Sequence, residues 1–314
     1  TFMELFNEGL TMRGKNAFYD PDRIEKHRSG EDPDLYPNVD WYKELFTNNA
    51  TNNRANVNIT GGADVANYYL SLGYYNETGQ FNTADIETYN SALKENRFNF
   101  TSNLTVNVTS KTKIDFGLNG YLKNFNEPAR GRDNIFALAT QASPHIVPVQ
   151  YSDGSWSFVR GATENPYKAL TQSGINNRYD NVVRSNLRLT QNLDMVTQGL
   201  STSGLFAFDV FGQTTLSRSR NLPSYFAEGR DTEGNLILTN TDTGSPDLSF
   251  GLQRSSTRRL YTEASLNYGR EFGVHDVGGL LLFNQSDFSD ARPEVDTYQE
   301  AIPYRNRLQH TPWL

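Results

Sequence analysis

One stretch of the chain, residues 98–108, alternates strictly between the two faces of an extended backbone. Its even-numbered positions are apolar apart from Ser102, and its odd-numbered positions are Asn or Thr. The same parity resumes at 114–122, after a tight turn at 110–112. Because successive side chains of a strand point to opposite faces, both runs predict strands with one apolar and one polar face. Each run is long enough to cross a bilayer as a tilted strand, which takes about 9–11 residues, whereas strands of soluble proteins usually have about 5–6.

The pattern recurs along the chain and predicts about eight strands, which come in pairs. The predicted strands are 54–60, 66–76, 96–109, 113–125, 179–194, 202–217, 258–271 and 276–287. Links within a pair are short, whereas the links between pairs, at 77–95, 126–178 and 218–257, are long. Because long and short links alternate, all the long loops must emerge on one side. This is typical of an outer-membrane barrel with short periplasmic turns and long extracellular loops.

The predicted organisation has three parts. Residues 1–50 form an irregular and helical lead-in, with helical segments near Asp20-Pro21 and at 40–46. Residues 51–290 contain the antiparallel strands and the long loops, and 291–314 begin a further extracellular loop whose end is truncated. The predicted fold is therefore all-β, a segment of an antiparallel transmembrane β-barrel.

Composition excludes several other classes of protein. The chain has 314 residues. Its formal net charge of −7 argues against a nucleic-acid partner. The lack of Cys excludes disulfides and thiolate metal sites. The mean hydropathy of −0.64 and the lack of an apolar run near 18 residues exclude transmembrane helices but not transmembrane strands. The sequence contains no catalytic or nucleotide-binding motif, and its His residues are far apart. We therefore predict neither an enzyme nor a metal or cofactor site.

The polar face of a barrel wall lines a water-filled lumen. We predict that this face carries Arg97, Asn99, Asn103, Asn107, Arg184 and Arg188. The alternative is the solvated face of a soluble sheet. In that case a second apolar layer would have to cover the other face, and the sequence shows no amphipathic helix long enough to do so. Lipid is the simpler cover.

Contacts with a ligand, if the chain has one, are expected on the long loops. Tyr151, Trp156 and Tyr167, in the loop at 126–178, are the candidate substrate-binding residues, because sugar rings present apolar faces that stack on aromatic side chains. The alternative is that these rings pack the loop against itself.

Several motifs occur in a recognisable order. Residues 36–41 read Tyr-Pro-Asn-Val-Asp-Trp, 58–62 read Asn-Ile-Thr-Gly-Gly, and 68–79 read Tyr-Tyr-Leu-Ser-Leu-Gly-Tyr-Tyr-Asn-Glu-Thr-Gly. Ser143-Pro144, Asn165-Pro166-Tyr167, Gly199-Leu200 and the stretch 301–306 follow. This order resembles the SusC/RagA family of TonB-linked outer-membrane proteins of Bacteroidetes over roughly residues 20–306. Val39 stands where Thr is usual, and 308–314 differ from the continuation that the family shows.

The resemblance implies a longer protein with an N-terminal plug and a 22-stranded barrel, of which this chain is an internal piece without the plug. It implies a place in the outer membrane of a Gram-negative, Bacteroidetes-like cell, in contact with lipid. The implied function is import of glycans or other large nutrients, oligosaccharides or peptides. The implied partners are a SusD-like surface lipoprotein and the TonB complex, which acts on the plug. One alternative stays open, a secreted soluble β-protein that acts as a surface glycan-binding module.

Overall fold

The computed structural model describes residues 2–83 and 89–291, together with the backbone of 307–308. The loop predicted at 291–314 and the motif at 301–306 lie almost wholly outside the described residues. The helices are α1 (Phe2–Thr11), α2 (Pro21–Ser29), α3 (Trp41–Leu45), α4 (Arg132–Gln141) and α5 (Pro166–Gln172). None of the helices in this part of the chain is long and apolar enough to cross a membrane.

The strands form one large antiparallel sheet and one small hairpin. They are β1 (Thr51–Gly62), β2 (Ala66–Thr78), β3 (Lys94–Thr109), β4 (Thr112–Pro128), β5 (Gly174–Asn192), β6 (Leu200–Asn221), β7 (Ser224–Arg230), β8 (Leu236–Asp242), β9 (Ser245–Phe272), β10 (His275–Ala291) and β11 (Arg307–Leu308). The order in the large sheet is β1-β2-β3-β4-β5-β6-β9-β10-β11, and β7 pairs with β8. Within the described ranges this sheet is open, with β1 and β11 at its edges. The predicted fold class is confirmed.

Several strands are longer than the hydrophobic pattern indicated. The strands predicted at 202–217 and 258–271 extend over Leu200–Asn221 and Ser245–Phe272. The reason is that backbone ladder bonds continue through the Ser- and Arg-rich ends, where apolar alternation has stopped. The predicted loop at 218–257 was wrong in its interior, because it contains the β7–β8 hairpin.

The register keeps apolar side chains in continuous rows on one face of the large sheet. Leu72 lies opposite Val57 on one side and Phe100 on the other, and Leu187 lies opposite Phe116 and Phe206. Most of these side chains are exposed, with Leu72 at 66%, whereas Phe100 and Phe116 are half-buried. A water-exposed apolar face of this extent is a lipid-facing or interaction surface.

A row of Asn side chains marks one boundary of that apolar band, near the start of β1 and the end of β2. Asn53, Asn76, Asn96 and Asn124 are successive cross-strand partners on β1 to β4. The side-chain amide of Asn76 donates to Oδ1 of Asn96 at 2.8 Å. Polar side chains thus replace apolar ones at one level on neighbouring strands, as at the boundary between lipid and water.

The long loops and the N-terminal segment form a second unit, the loop cap, comprising residues 2–50, 79–83, 89–93, 129–173 and 222–244. It lies at the end of the sheet where β1 begins and β2 ends. Its hydrophobic core consists of Trp41, Leu45, Phe81, Ile135, Leu138, Ala139, Val147, Ala169 and Leu170. The sequence signals for its helices are local: Asp20 and Asp40 accept the capping hydrogen bonds of α2 and α3, as short polar side chains do at helix N-termini.

Candidate functional site

The polar face of the large sheet carries all six residues predicted to line a lumen. Arg97, Asn99, Asn103 and Asn107 lie on β3, and Arg184 and Arg188 lie on β5, in each case with the parity opposite to the apolar rows. Arg97 and Asn99 contact each other, since Nε of Arg97 donates to Oδ1 of Asn99 at 2.8 Å. The β5 arginines lie two strands away, where Arg188 approaches Glu263 at 3.7 Å. That these side chains face a lumen stays a prediction.

One cross-strand row of this face divides into a neutralised half and a cationic half. In the neutralised half Nζ of Lys123 lies 2.8 Å from Oδ2 of Asp180, and the Gln213 amide donates to the same carboxylate at 2.9 Å. The carboxylate of Asp180 is thus buried with both a cation and an amide against it, an arrangement that holds a buried charge stably. Lys123 is therefore paired with a carboxylate within this half, and Nε of Arg178 also lies 3.5 Å from Oδ2 of Asp180.

The cationic half of the row consists of Arg54, Tyr75 and Arg97, which are direct partners across β1, β2 and β3. The guanidinium carbon of Arg97 lies 4.1 Å from the ring centroid of Tyr121, and that of Arg54 lies 5.6 Å from the ring centroid of Tyr75. Cation–π contacts of this kind hold a guanidinium without neutralising it. Among the described residues neither guanidinium forms an ion pair with a carboxylate.

The next row on the same face, on the side away from the loop cap, has a glycine between two amides. Gly73 is the cross-strand partner of Asn56 on one side and of Asn99 on the other. A Cβ placed on Gly73 would lie 2.7 Å from Oδ1 of Asn56, so the absence of a side chain leaves room for both amides. Glycine inside a strand often marks a place where another group approaches the backbone closely.

Together the two rows form a concave polar site, named here the Arg54–Arg97 hollow. Its volume is about 490 Å³, and it is lined by Arg54, Asn56, Tyr74, Tyr75, Glu95, Arg97 and Asn99. It lies at the cap end of the polar face, because Arg54 and Arg97 are near the starts of β1 and β3. The site can therefore offer guanidinium and amide donors to a ligand on this face.

The aromatic side chains predicted to bind substrate lie in the loop cap. Tyr151 is 3% exposed, and its hydroxyl accepts a hydrogen bond from the backbone N–H of Ala227 at 3.0 Å. Burial raises the pKa of this hydroxyl. Tyr151 therefore packs the long loop against the β7–β8 hairpin. Trp156 and Tyr167 are half-buried neighbours with ring centroids 6.5 Å apart, and their contact with substrate stays a prediction.

A cluster of buried rings joins the N-terminal segment to the long β4–β5 loop. Nδ1 of His27 hydrogen-bonds the carbonyl of Pro37 at 2.6 Å, and Nε2 of His145 hydrogen-bonds the hydroxyl of Tyr19 at 2.8 Å. Burial lowers the pKa of both imidazoles, that of His145 to about 4. Both rings are therefore neutral at pH 7. In the described part of the chain no three His, Asp or Glu side chains are placed to hold a metal ion.

An ionic clamp connects three segments of the loop cap. Arg230, at the end of β7, donates through Nε and Nη2 to the two oxygens of Asp32, at 2.6 and 2.9 Å. Nη2 also donates to Asp34 at 2.8 Å. The carboxylate of Asp34 accepts further hydrogen bonds from the backbone N–H and hydroxyl of Ser152, at 2.9 and 2.5 Å. The guanidinium holds the pKa of Asp32 below its usual range.

Sequence reasoning did not identify Arg54, Asn56, Gly73 or Tyr75 as a site. A signal was present, because Arg54 and Asn56 alternate with the apolar residues of β1, and Gly73 interrupts the side chains of β2. What the sequence lacked was the register, which brings these residues beside Arg97 and Asn99.

Comparison with known proteins gives two relatives and a structural neighbour. The chain is 34% identical over 127 residues to the TonB-dependent receptor P26 of Formosa agariphila, which covers 40% of the chain and 11% of that receptor. It is 23% identical over 286 residues to the TonB-dependent receptor P3 of the same organism, which covers 86% of the chain and 25% of that receptor. No family model matches the chain. The chain thus spans a quarter or less of the length of these relatives.

The structural comparison points to the same architecture. The structure of the RagAB peptide transporter aligns with a TM-score of 0.54 and 14% identity, over 87% of this chain and 30% of that chain. The same importer in its 'closed-closed' state gives a TM-score of 0.54 and 14% identity, over 88% and 31%. At this identity the likeness establishes the fold. The sheet and its loops are therefore arranged as in a barrel of this type.

Proposed function

Because the chain belongs to the TonB-dependent receptors and has the outer-membrane barrel fold of the SusC/RagA type, we propose that it forms part of the wall and extracellular cap of a nutrient transporter. The proposed cargo is large, an oligosaccharide or a peptide. The proposed partners are a SusD-like surface lipoprotein at the cap and the TonB complex, which would act through a plug outside this chain. The proposed role of this part of the receptor is binding and passage of cargo.

The observation that carries the proposal is the contrast between the two faces of one sheet. The apolar rows around Leu72 and Leu187 are largely exposed, and on β1 to β4 they end at the Asn row, which fits a lipid-facing band. The opposite face carries unpaired arginines and amides in a hollow, which fits a hydrated path for a polar cargo. A folded cap over one end fits a wall that admits cargo from that side.

The cargo class is proposed from two sources that agree in part. The RagAB neighbours are a peptide transporter, and glycans fit the half-buried Trp156 and Tyr167 of the cap. Both cargoes are polar polymers with hydrogen-bonding groups, which the amides of the polar face can bind. An experiment must therefore include both.

The test uses the complete receptor that contains this chain. Its gene would be deleted in the native host, and uptake of a panel of labelled oligosaccharides and peptides would be measured with and without the restored gene. We expect loss of uptake for at least one member of the panel and its recovery on restoration. Unchanged uptake of every member would overturn the proposal.

A second measurement addresses the soluble alternative. The receptor should fractionate with the outer membrane and require detergent to remain monodisperse. A protein that is secreted and remains folded and monomeric without detergent would instead support the glycan-binding module.

A further inference from the structure

We propose that the Arg54–Arg97 hollow binds an anionic group of the cargo, a carboxylate or a sulfate, and so selects acidic over neutral cargo. This inference rests on the proposed transport function and adds a substrate class to it. It is carried by the chemistry of the two rows that form the hollow.

The two arginines of the hollow carry positive charge that no carboxylate of the described residues neutralises. Two lysines of the polar face are neutralised locally, Lys123 by Asp180 at 2.8 Å and Lys113 by Asp115 at 3.0 Å. Arg54 and Arg97 have aromatic rings against them instead of carboxylates. A guanidinium without an ion pair retains its capacity to bind two oxygens of a carboxylate or sulfate.

The guanidinium of Arg97 is already held in position by its neighbours. The Tyr121 ring at 4.1 Å and the hydrogen bond to Asn99 at 2.8 Å fix the plane of the Arg97 guanidinium. Because Nε is used in that bond, the terminal nitrogens of Arg97 remain for a ligand. A side chain that is already ordered loses less conformational entropy on binding.

The hollow also has room for a ligand and contains uncharged hydrogen-bond donors. Gly73 leaves the floor of the hollow open between Asn56 and Asn99. The Asn99 amide oxygen accepts from Arg97, so its NH₂ group is available as a donor. An anionic group on the arginines would thus have amides beside it, able to bind the hydroxyl or amide groups that adjoin an acid in a sugar or a peptide.

One residue of the hollow opposes an anion. Glu95 lines the cap side of the hollow and is the cross-strand partner of Glu77, so two carboxylates lie one row above the arginines. The anionic group would therefore lie on the side of the arginines away from Glu95, near the amides of Asn56 and Asn99. Removing the charge of Glu95 should tighten binding of an acidic ligand.

The experiment measures binding by the complete receptor in detergent, using calorimetry and matched probes. The probes are a carboxylated oligosaccharide, a sulfated oligosaccharide and an acidic peptide, each paired with a neutral counterpart of equal length. We expect the acidic member of at least one pair to bind at least tenfold more tightly. Which pair responds identifies the source of the anionic group.

The variants locate the preference in the hollow. Arg54→Gln and Arg97→Gln should each weaken binding of the acidic probe roughly tenfold, the typical effect of losing a charge-assisted hydrogen bond. Glu95→Gln should strengthen it. Gly73→Ala, whose new Cβ would meet the Asn56 amide at 2.7 Å, should weaken it without removing a charge. Circular dichroism would verify that each variant keeps its β-sheet.

The matched control is Arg254→Gln, which removes the same charge from the other face of the sheet. Arg254 lies on β9 opposite Thr214, with the parity of the apolar row. Its replacement should leave the preference unchanged.

Two results would overturn the inference. One is equal binding of acidic and neutral members in every pair, and the other is an Arg254→Gln effect as large as that of Arg97→Gln. A receptor that binds neutral probes and is indifferent to Arg54→Gln and Arg97→Gln refutes the anion site alone. A receptor that neither binds nor imports any probe refutes the transport function, and the inference with it.

Discussion

The large sheet (β1–β6 and β9–β11), called the wall below, and the loop cap are stabilised in opposite ways. In the described part of the large sheet, the buried apolar side chains are Phe125, Pro128 and Val182, and the other apolar side chains are exposed or half-buried. The cap, by contrast, encloses fully buried residues such as Leu45, Ile135 and Leu170 from three separate helices, α3, α4 and α5. The cap is therefore built as water-soluble proteins are, with an internal core. The wall has its apolar side chains on the outside, where lipid covers them. The cap therefore folds as in water and the wall as in a membrane.

The sharpest test of this difference is removal of one cap side chain. Leu170 on α5 is 0% exposed, so Leu170→Ala leaves a cavity and should destabilise the cap by about 2–5 kcal/mol. Hydrogen exchange of cap and wall peptides in the detergent-solubilised receptor would measure this. The matched control is Leu281→Ala on β10, whose side chain is 71% exposed. A comparable effect of both substitutions would contradict a core confined to the cap.

The next test compares two adjacent residues of β2. Leu72 lies on the apolar face, and Ser71 on the polar face opposite Asn58 and Thr101. Arg in place of Leu72 should cost about 2–4 kcal/mol, the cost of a cation at the lipid midplane, whereas Ser71→Arg should be tolerated. The yield of folded receptor in lipid vesicles would measure both. Equal tolerance of the two substitutions would mean that lipid does not cover the Leu72 face.

The smallest test is acidification, which should affect the cap more than the wall. Burial lowers the pKa of His145 to about 4, against about 6.5 when unfolded. Because the folded cap binds this proton less tightly than the unfolded chain, its contribution is complete above pH 6.5 and is lost as the pH falls towards 4. The loss is at most roughly 3 kcal/mol.

Hydrogen exchange of the cap between pH 7 and pH 4, corrected for the intrinsic pH dependence, would measure that loss. His145→Gln should flatten the profile, although His27, whose pKa burial also lowers, keeps part of it. A wall that loosens in parallel with the cap would argue against a titration confined to this cluster.

The wall could be predicted from the sequence because the pattern that specifies each strand lies within that strand. Each strand encodes its own two faces by alternation, so the parity of residues 98–108 is sufficient to separate Phe98 from Arg97. Strand ends were less predictable, because ladder hydrogen bonds extend β9 from Ser245 although its first residues do not alternate.

The cap and the hollow could not be predicted because their information is non-local. The cap core draws Phe81 from one loop and Ile135 from another, and each segment is too short to show a clear period. One local signal was available, since Ile135, Leu138 and Ala139 have helical spacing on α4. The hollow depends on the registers of β1, β2 and β3 together, which no single segment encodes.

The clamp at Asp34 determines how the cap can move. Its carboxylate binds Ser152 of the β4–β5 loop and Arg230 of the β7–β8 hairpin, while Asp34 itself belongs to the N-terminal segment. None of these three segments can swing away alone without breaking hydrogen bonds of a buried carboxylate. Opening of the cap at this clamp therefore requires a concerted motion of all three segments, on the microsecond-to-millisecond timescale of collective rearrangements rather than the faster timescale of a single flexible loop.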